Sequence, residues 1–543
     1  MNQYLKALSA GAAVLALLSC SESEPVDAHE LAIEQELSTE QPQAEAELYY
    51  HIFVRSFADS NGDGHGDLQG IIDKLDYLQS LGVTGILLTP LYPSAFYHNY
   101  FADDFYGIDE EFGTMDTYAA LVSSLHDRGM TLILDQEIQY VSGNHEWATD
   151  SAGNPESSFD PFVLYADDDN NEPIGTLFGI TDFQVWPNQT QQIYTVDMLT
   201  DETRAYFIDY LFFWMDPNGD GDFSDGADGF RIDHMMDDLD NAGVLTGLFK
   251  EFWVPIFDRL RATNPNIFIV AEQADWGYGE AFVDQGEADM VFGFAIRDSL
   301  LKLDASAFAT AMSTTNDVLG TEHDQFVFIE NHDTDRFTSL QKDVEVQKFA
   351  ASASMLLGWT PILYYGQELG MMGHKIEGDL DTDLMGSQHD VRDIPVREAM
   401  RWDADAPGDR AQWYMEDPDA YKQPSPNDET SGIWVSQQDG VDGSLLEHYR
   451  ALSQLRRDVP TLAGKQTSVV YENDDVVVLE RSAPGLTNAY VVMNFADKQR
   501  DLYADFLFTE GVRLNTANGS VEFTDANLSL GAYAVVVLSR TAE

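Results

Sequence analysis

Cysteine is almost absent: the 543 residues contain one, Cys20. An internal disulfide is therefore excluded, and packing must hold the fold, with metal ions as the other available source of stability. Positive charge is also scarce. Against 94 Asp and Glu stand 29 Lys and Arg, for a net charge of −65, which excludes nucleic acid as a partner and unaided adsorption to anionic lipid. An acidic excess of this size suits salty surroundings, where screening shortens the reach of self-repulsion. A long apolar run is missing as well, since the apolar stretch within residues 1–20 is too short to span a bilayer.

Residues 1–20, MNQYLKALSAGAAVLALLSC, place a lysine near the start and small residues before the cysteine, as an export signal does. The ending LLSC resembles the lipobox of bacterial lipoproteins. That resemblance implies acylation at Cys20 and anchoring through hydrocarbon burial. Ser21 in place of an aspartate points to the outer membrane, on either face. Residues 21–47 are acidic and aperiodic and read as a solvated tether. From residue 48 onward the chain is too long for a single core and predicts two or three domains.

The chemistry centres on residues 228–237, DGFRIDHMMD, where Phe230 and Ile232 alternate with Arg231 and Asp233. A strand here turns arginine and acid to one side, and the cation keeps the acid ionised. Residues 267–272, IFIVAE, end another apolar run in Glu272, and residues 326–333, FVFIENHD, end a third in His332 and Asp333. Carboxylates at the ends of separate strands fit a (β/α)8 barrel, whose sites lie at its C-terminal face. The three stretches resemble the second, third and fourth signature regions of glycoside hydrolase family 13, the α-amylase family. The resemblance implies Asp233 as nucleophile, Glu272 as acid/base and Asp333 as the holder of sugar hydroxyls, in a retaining reaction. It also implies the fold class: an α/β TIM barrel (residues 48–140 and 199–458), a domain B inserted after the third strand (141–198) and a C-terminal antiparallel β-sandwich (459–543).

Two loops are rich in oxygen ligands. DSNGDGHGD supplies Asp59, Asn61, Asp63, His65 and Asp67 around Gly64, and residues 216–225 supply Asp216, Asn218, Asp220, Asp222 and Asp225 around Gly221. Such spacing suits Ca2+, although Gly70 stands where an EF-hand has its twelfth-position glutamate.

By the same resemblance His98 and Tyr100 are sugar contacts, as are Asp135, Arg231 and His332. Phe101 stands where many exo-acting α-glucosidases have an aspartate, which favours an open-ended site. The first signature departs from the family, with Gln139 and Tyr140 in place of asparagine and histidine; the Tyr140 hydroxyl is expected to take over the histidine's contact with the sugar, and Met236 and Asp237 replace a common Lys-His pair. The expected function is hydrolysis of α-glucosidic bonds, most readily α-1,4, in starch-like glucans or maltooligosaccharides. A family-13 transglycosylase, a small-substrate α-glucosidase and an inactive glycan-binding barrel are the alternatives.

Overall fold

The computed structural model describes residues 46–187, 189–377, 390–416, 421, 424–503, 512–524 and 527–540. The export signal, Cys20 and nearly all of the tether lie outside the described residues.

Eight parallel strands close a barrel in chain order: Tyr49–Ile52, Gly85–Leu88, Thr131–Gln136, Gly229–Met235, Phe268–Gln273, Met290–Phe292, Asp324–Val327 and Thr360–Tyr364. Strands buried on both faces read as continuous apolar runs, as in GILL and FIVAEQ. Tyr49, Leu87, Ile133, Val270, Phe292 and Phe326 fill the interior, with Tyr49 edge-on to Phe326 at 5.1 Å. The barrel bottom is thus a packed plug that leaves the C-terminal ends of the strands to carry chemistry.

The outer helices start at side-chain caps that satisfy their free N–H groups. Thr200 accepts from Thr203 N ahead of Asp201–Met215, and Ser444 from Glu447 N ahead of Leu445–Asp458. Residues 68–81 form two helices, Leu68–Asp73 and Leu75–Leu81. At the break the Lys74 N–H turns to Ile71 O, three residues back, and its ammonium lies 4.7 Å from the Trp402 ring.

Between the third and fourth barrel strands the chain makes an antiparallel sheet of Tyr140–Ser142, Gln189–Thr195 and Asp182–Val185, with Tyr140 opposite Thr195. Tyr140 therefore stands where barrel becomes insertion. The C-terminal residues form a five-stranded and a three-stranded antiparallel sheet. Val476, Val478, Val492 and Val536 face Leu502, Leu528 and Leu530 between the sheets. Alternate residues of the same strands, Val477, Leu479, Val491 and Val537, belong to the core shared with the barrel helices. Phe495 meets Phe308 at 5.2 Å and Phe349 at 4.8 Å across that junction. Buried Arg481 donates to Leu462 O at 3.2 Å and Gln466 O at 3.3 Å, and also to Leu356 O and Gly464 O, stitching helix end to sandwich.

Candidate active site

The site is built from the fourth strand outward. Register puts Asp135 of the third strand directly beside Arg231, and both are buried. Arg231 Nη1 donates to both Asp135 oxygens at 2.7 Å and to Asp233 Oδ1 at 2.5 Å, while Nη2 stands 2.7 Å from Glu272 Oε2. One guanidinium fork thus orients three carboxylates, which its planar geometry suits.

Beyond Ile232 the register slips. Ile232 pairs with Ala271 but Met235 with Gln273, so the fourth strand holds one extra residue. His234 takes up the slack at φ 46°. Such a bulge re-aims the side chains around it, and it lets His234 N donate to Glu272 Oε2 at 3.3 Å. Gln139 Nε2 ties the bulge from behind, donating to Asp233 O at 2.6 Å and His234 O at 2.9 Å. The glutamine that departs from the family pattern therefore fixes the main chain at Asp233 and His234.

Environment sets the acids apart. Burial raises the Asp233 carboxyl, but Arg231 and a hydrogen bond with Glu137 outweigh it and hold Asp233 below its ordinary value. Glu272 is pushed up to about 8 by burial, with Asp233 and Asp333 adding to the rise against Arg231. Asp333 feels burial too, yet His332 and Arg397 bring it well below the carboxylate range. His332 Nε2 lies 3.0 Å from Asp333 Oδ2, and Arg397 Nη2 donates to Oδ1 at 3.0 Å. The outcome is two carboxylates and one neutral carboxylic acid at pH 7, the division of labour that acid-assisted displacement needs.

These groups surround a cavity of 380 Å³. His98, Tyr100, Phe101, Tyr140 and His332 line it with the three acids. Tyr100 stacks on His332 at 5.4 Å and donates to Asp135 Oδ2 at 2.7 Å. Phe101 sits edge-on to Tyr140 at 5.9 Å and 6.4 Å from Phe183 of the insertion. Trp276, 48% exposed, lies parallel to Phe294 at 4.9 Å and presents its other face as a platform. Asp135 and Arg231 are not among the walls. Both are buried, and the cavity-lining groups they contact are Asp233, Glu272 and Tyr100. The Tyr140 hydroxyl is donated to Asp240, which also takes His234 Nε2 at 2.9 Å, so it is committed within the protein.

Glu137, His234, Asp240 and Arg397 join the site without having been singled out in the sequence. Glu137 had a signal: it stands two residues after Asp135, on the same side of an extended chain. Arg397 had none, because it arrives from a loop far along the chain.

The two oxygen-rich loops repeat one geometry. Asp59 accepts from Gly62 N at 2.6 Å and Gly64 N at 2.9 Å, and Asp216 accepts from Gly219 N at 2.9 Å and Gly221 N at 2.8 Å. Asn61 and Asn218 each take the N–H two residues on at 2.8 Å, as Asp63 does at 2.9 Å and Asp220 at 2.8 Å. Gly64 and Gly221 make the turn at φ 98° and 82°, where a side chain would be strained. Asp67 caps the next helix through Gly70 N, and the His65 ring faces Glu111 at 3.4 Å and Glu416 at 3.5 Å. Asp222 accepts from Ser224 N at 3.1 Å. Asp225 Oδ1 is buried with no hydrogen-bond partner, and burial, then Asp216, raises that carboxyl. Among the described residues no three His, Cys, Asp or Glu side chains are already gathered as a metal cluster.

A family model described as "Alpha amylase, catalytic domain" matches residues 51–464. "Alpha-amylase 3" of Dictyoglomus thermophilum is 26% identical over 428 residues, covering 75% of this chain and 76% of that protein. "Oligo-1,6-glucosidase" of Halalkalibacterium halodurans is 26% identical over 529 residues, covering 84% and 90%. In fold, the crystal structure of an α-amylase from H. orenii superposes with a TM-score of 0.72 at 23% identity, over 92% of this chain and 100% of that one. With the family model's match over residues 51–464 enclosing Asp233, Glu272 and Asp333, the chain belongs to the α-amylase family, glycoside hydrolase family 13, as an α-amylase-type glycoside hydrolase.

Proposed function

We propose that the protein hydrolyses α-glucosidic bonds, foremost α-1,4, in starch-like glucans or maltooligosaccharides, with retention of anomeric configuration. The observation that carries this reading is the single guanidinium fork holding Asp233 and Glu272 together. Two carboxyls bound to one fork are held close together, which supports the short separation of a retaining pair, roughly 5 to 5.5 Å, over the wider one that makes room for an inverting water.

In the first step the Asp233 carboxylate attacks the anomeric carbon while Glu272 gives its proton to the departing glycosidic oxygen. In the second, Glu272 takes a proton from the water that displaces Asp233. Asp333 and His332 are placed to accept and donate hydrogen bonds to ring hydroxyls. Phe101 closes its part of the wall with an apolar ring, so no carboxylate there clamps a chain end, which supports cleavage within longer chains. The test is a product profile on maltoheptaose with anomer-resolved NMR. Shorter maltooligosaccharides formed first as α-anomers are expected. First-formed β-anomers would overturn retention, and products longer than the substrate as the main outcome would make the enzyme a transglycosylase.

We also propose that the two loops each hold Ca2+. Asp59, Asn61, Asp63 and Asp67 would ligate one ion, and Asp216, Asn218, Asp220 and Asp225 the other, joined by the main-chain carbonyls of His65 and Asp222. The partnerless, buried Asp225 Oδ1 beside Asp216 fits such an ion. The ion's contribution is rigidity in the approach to the Asp233 strand. Ligand binding at a hundredfold excess over Kd adds about 2.7 kcal/mol to stability. EDTA should therefore lower the melting temperature by several degrees and Ca2+ restore it; an unchanged curve with no metal by elemental analysis removes both ions. Residues 1–20 carry a further part of the reading, an exported chain anchored by acylated Cys20 that fractionates with membranes.

A further inference from the structure

Glu137 is a fourth carboxyl at the cavity, and the two-step displacement does not use it. It lies just past the third barrel strand, is 2% exposed, and shares the cavity lining with Asp233 and Glu272. Its Oε1 accepts from Gln139 N at 2.7 Å while the Gln139 side chain donates to Asp233 O at 2.6 Å, so one residue holds the carboxyl beside Asp233 on the same cavity wall, and each acid shifts the other's titration as a hydrogen-bonded neighbour does. Two touching carboxyls in a buried site cannot both be ionised, so they share one proton.

Geometry decides where that proton sits. Arg231 approaches Asp233 at 2.5 Å from its other side and favours the charge there. Glu137 faces Asp233 and Asp240, both acidic, and the phenols of Tyr140 and Tyr92 lie near. The His234 ring is turned to Asp240 at 2.9 Å. Burial and Asp233 push the Glu137 carboxyl well above its ordinary value.

We propose that Glu137, in its acid form, is a positioning residue that donates a hydrogen bond to Asp233 and assists its release from the glycosyl ester. The proposal rests on the retaining reading. In the first step an Asp233 oxygen bonds the anomeric carbon as the glycosidic C–O bond breaks, and the proton of Glu272 goes to the leaving oxygen. Glu137 keeps its own proton throughout. In the second step water bonds the anomeric carbon, its proton goes to Glu272, and the electron pair of the breaking ester bond returns to Asp233. A donor to a carboxylate is roughly twice as strong as one to a neutral acceptor. The Glu137 hydrogen bond therefore strengthens as the ester breaks, and its benefit falls on the second step.

The test compares Glu137→Leu and Glu137→Gln on an aryl α-maltotrioside with a good phenol leaving group, which makes the second step limiting. Glu137→Leu should lower kcat by about tenfold to a hundredfold, the range for loss of one charge-assisted hydrogen bond. KM should fall with it, and glycosyl-enzyme should accumulate on Asp233, visible as a burst of phenol and as an added sugar mass. Glu137→Gln keeps a weaker donor and should recover most of the rate, with a glycosyl-enzyme fraction between those of wild type and Glu137→Leu. If Glu137→Leu does not fold, the raised glycosyl-enzyme fraction in Glu137→Gln carries the test alone. Equal losses in both variants with no accumulation, or unchanged kinetics in both, would overturn the role of Glu137. Absence of any adduct in wild type together with first-formed β-anomers would instead overturn retention.

Discussion

Asp233→Asn and Glu272→Gln should each lower kcat by at least about a thousandfold, the loss expected when a nucleophile or an acid/base is removed from a cooperating pair. Each variant should still fold, because the amide keeps the size of the acid it replaces and Arg231 keeps its other carboxyl partners, Asp135 among them. The two variants fail differently. Without the Asp233 charge no glycosyl ester forms on any substrate, so a better leaving group does not help. Without the Glu272 proton the first step fails only where the leaving oxygen needs protonation, so an aryl glycoside with a good phenol should recover that step and then stall at the ester. The pH profile gives a second check. Glu272 titrates at about 8 and must be protonated to act, so wild-type activity should decline as pH rises through that value. In Glu272→Gln, on the aryl substrate, this alkaline limb should vanish from the phenol burst. Near-normal activity of either variant on starch would refute the assignment.

The barrel and its acids were legible because their signals are local. A run such as FRID carries period-two alternation, and register then places Arg231 beside Asp135 with no further information. The contacts between elements were less legible. Tyr140 stands where the family has a sugar-contacting histidine, and resemblance alone suggested that its hydroxyl serves substrate. Its partner is Asp240, a residue a hundred positions later on a turn that no periodicity marks. The bulge at His234 was hidden for a related reason, since one inserted residue leaves the apolar pattern of the strand intact and shows only in pairing with its neighbour. Resemblance itself obscured Glu137. Asp135 matches the first signature and its neighbours at 139 and 140 depart from it, while Glu137, just past the strand's end, belongs to neither the match nor the departure.

Arg231→Met should be the most damaging single change outside the reacting acids, and its damage should grow with pH. Arg231 is fully buried against Asp135, Asp233 and Glu272, and removing one partner of such a cluster typically costs about 3–5 kcal/mol, because buried charge is left uncompensated. The pH dependence comes from the direction of each shift. Asp135 already titrates at about 6 with Arg231 present, above its unfolded value, so the stability it contributes is complete at low pH and lost as pH rises through 6. Asp233 is held below its ordinary value with Arg231 as the principal counterweight to burial, so it contributes stability above that value. Without the guanidinium, burial raises Asp135 further and turns Asp233 from a lowered group into a raised one. Both then bind protons more tightly in the folded chain than in the unfolded one, and stability falls as pH rises. Melting curves at pH 5 and pH 8 should therefore show a larger wild-type-to-variant gap at pH 8. At pH 7 kcat/KM should drop by at least about a hundredfold, since the nucleophile loses both its charge and its orientation. Arg231→Lys should not restore it, because a single ammonium cannot span three carboxylates that a planar fork joins. A gap independent of pH, or a lysine variant with full activity, would mean that the three acids are held by other contacts.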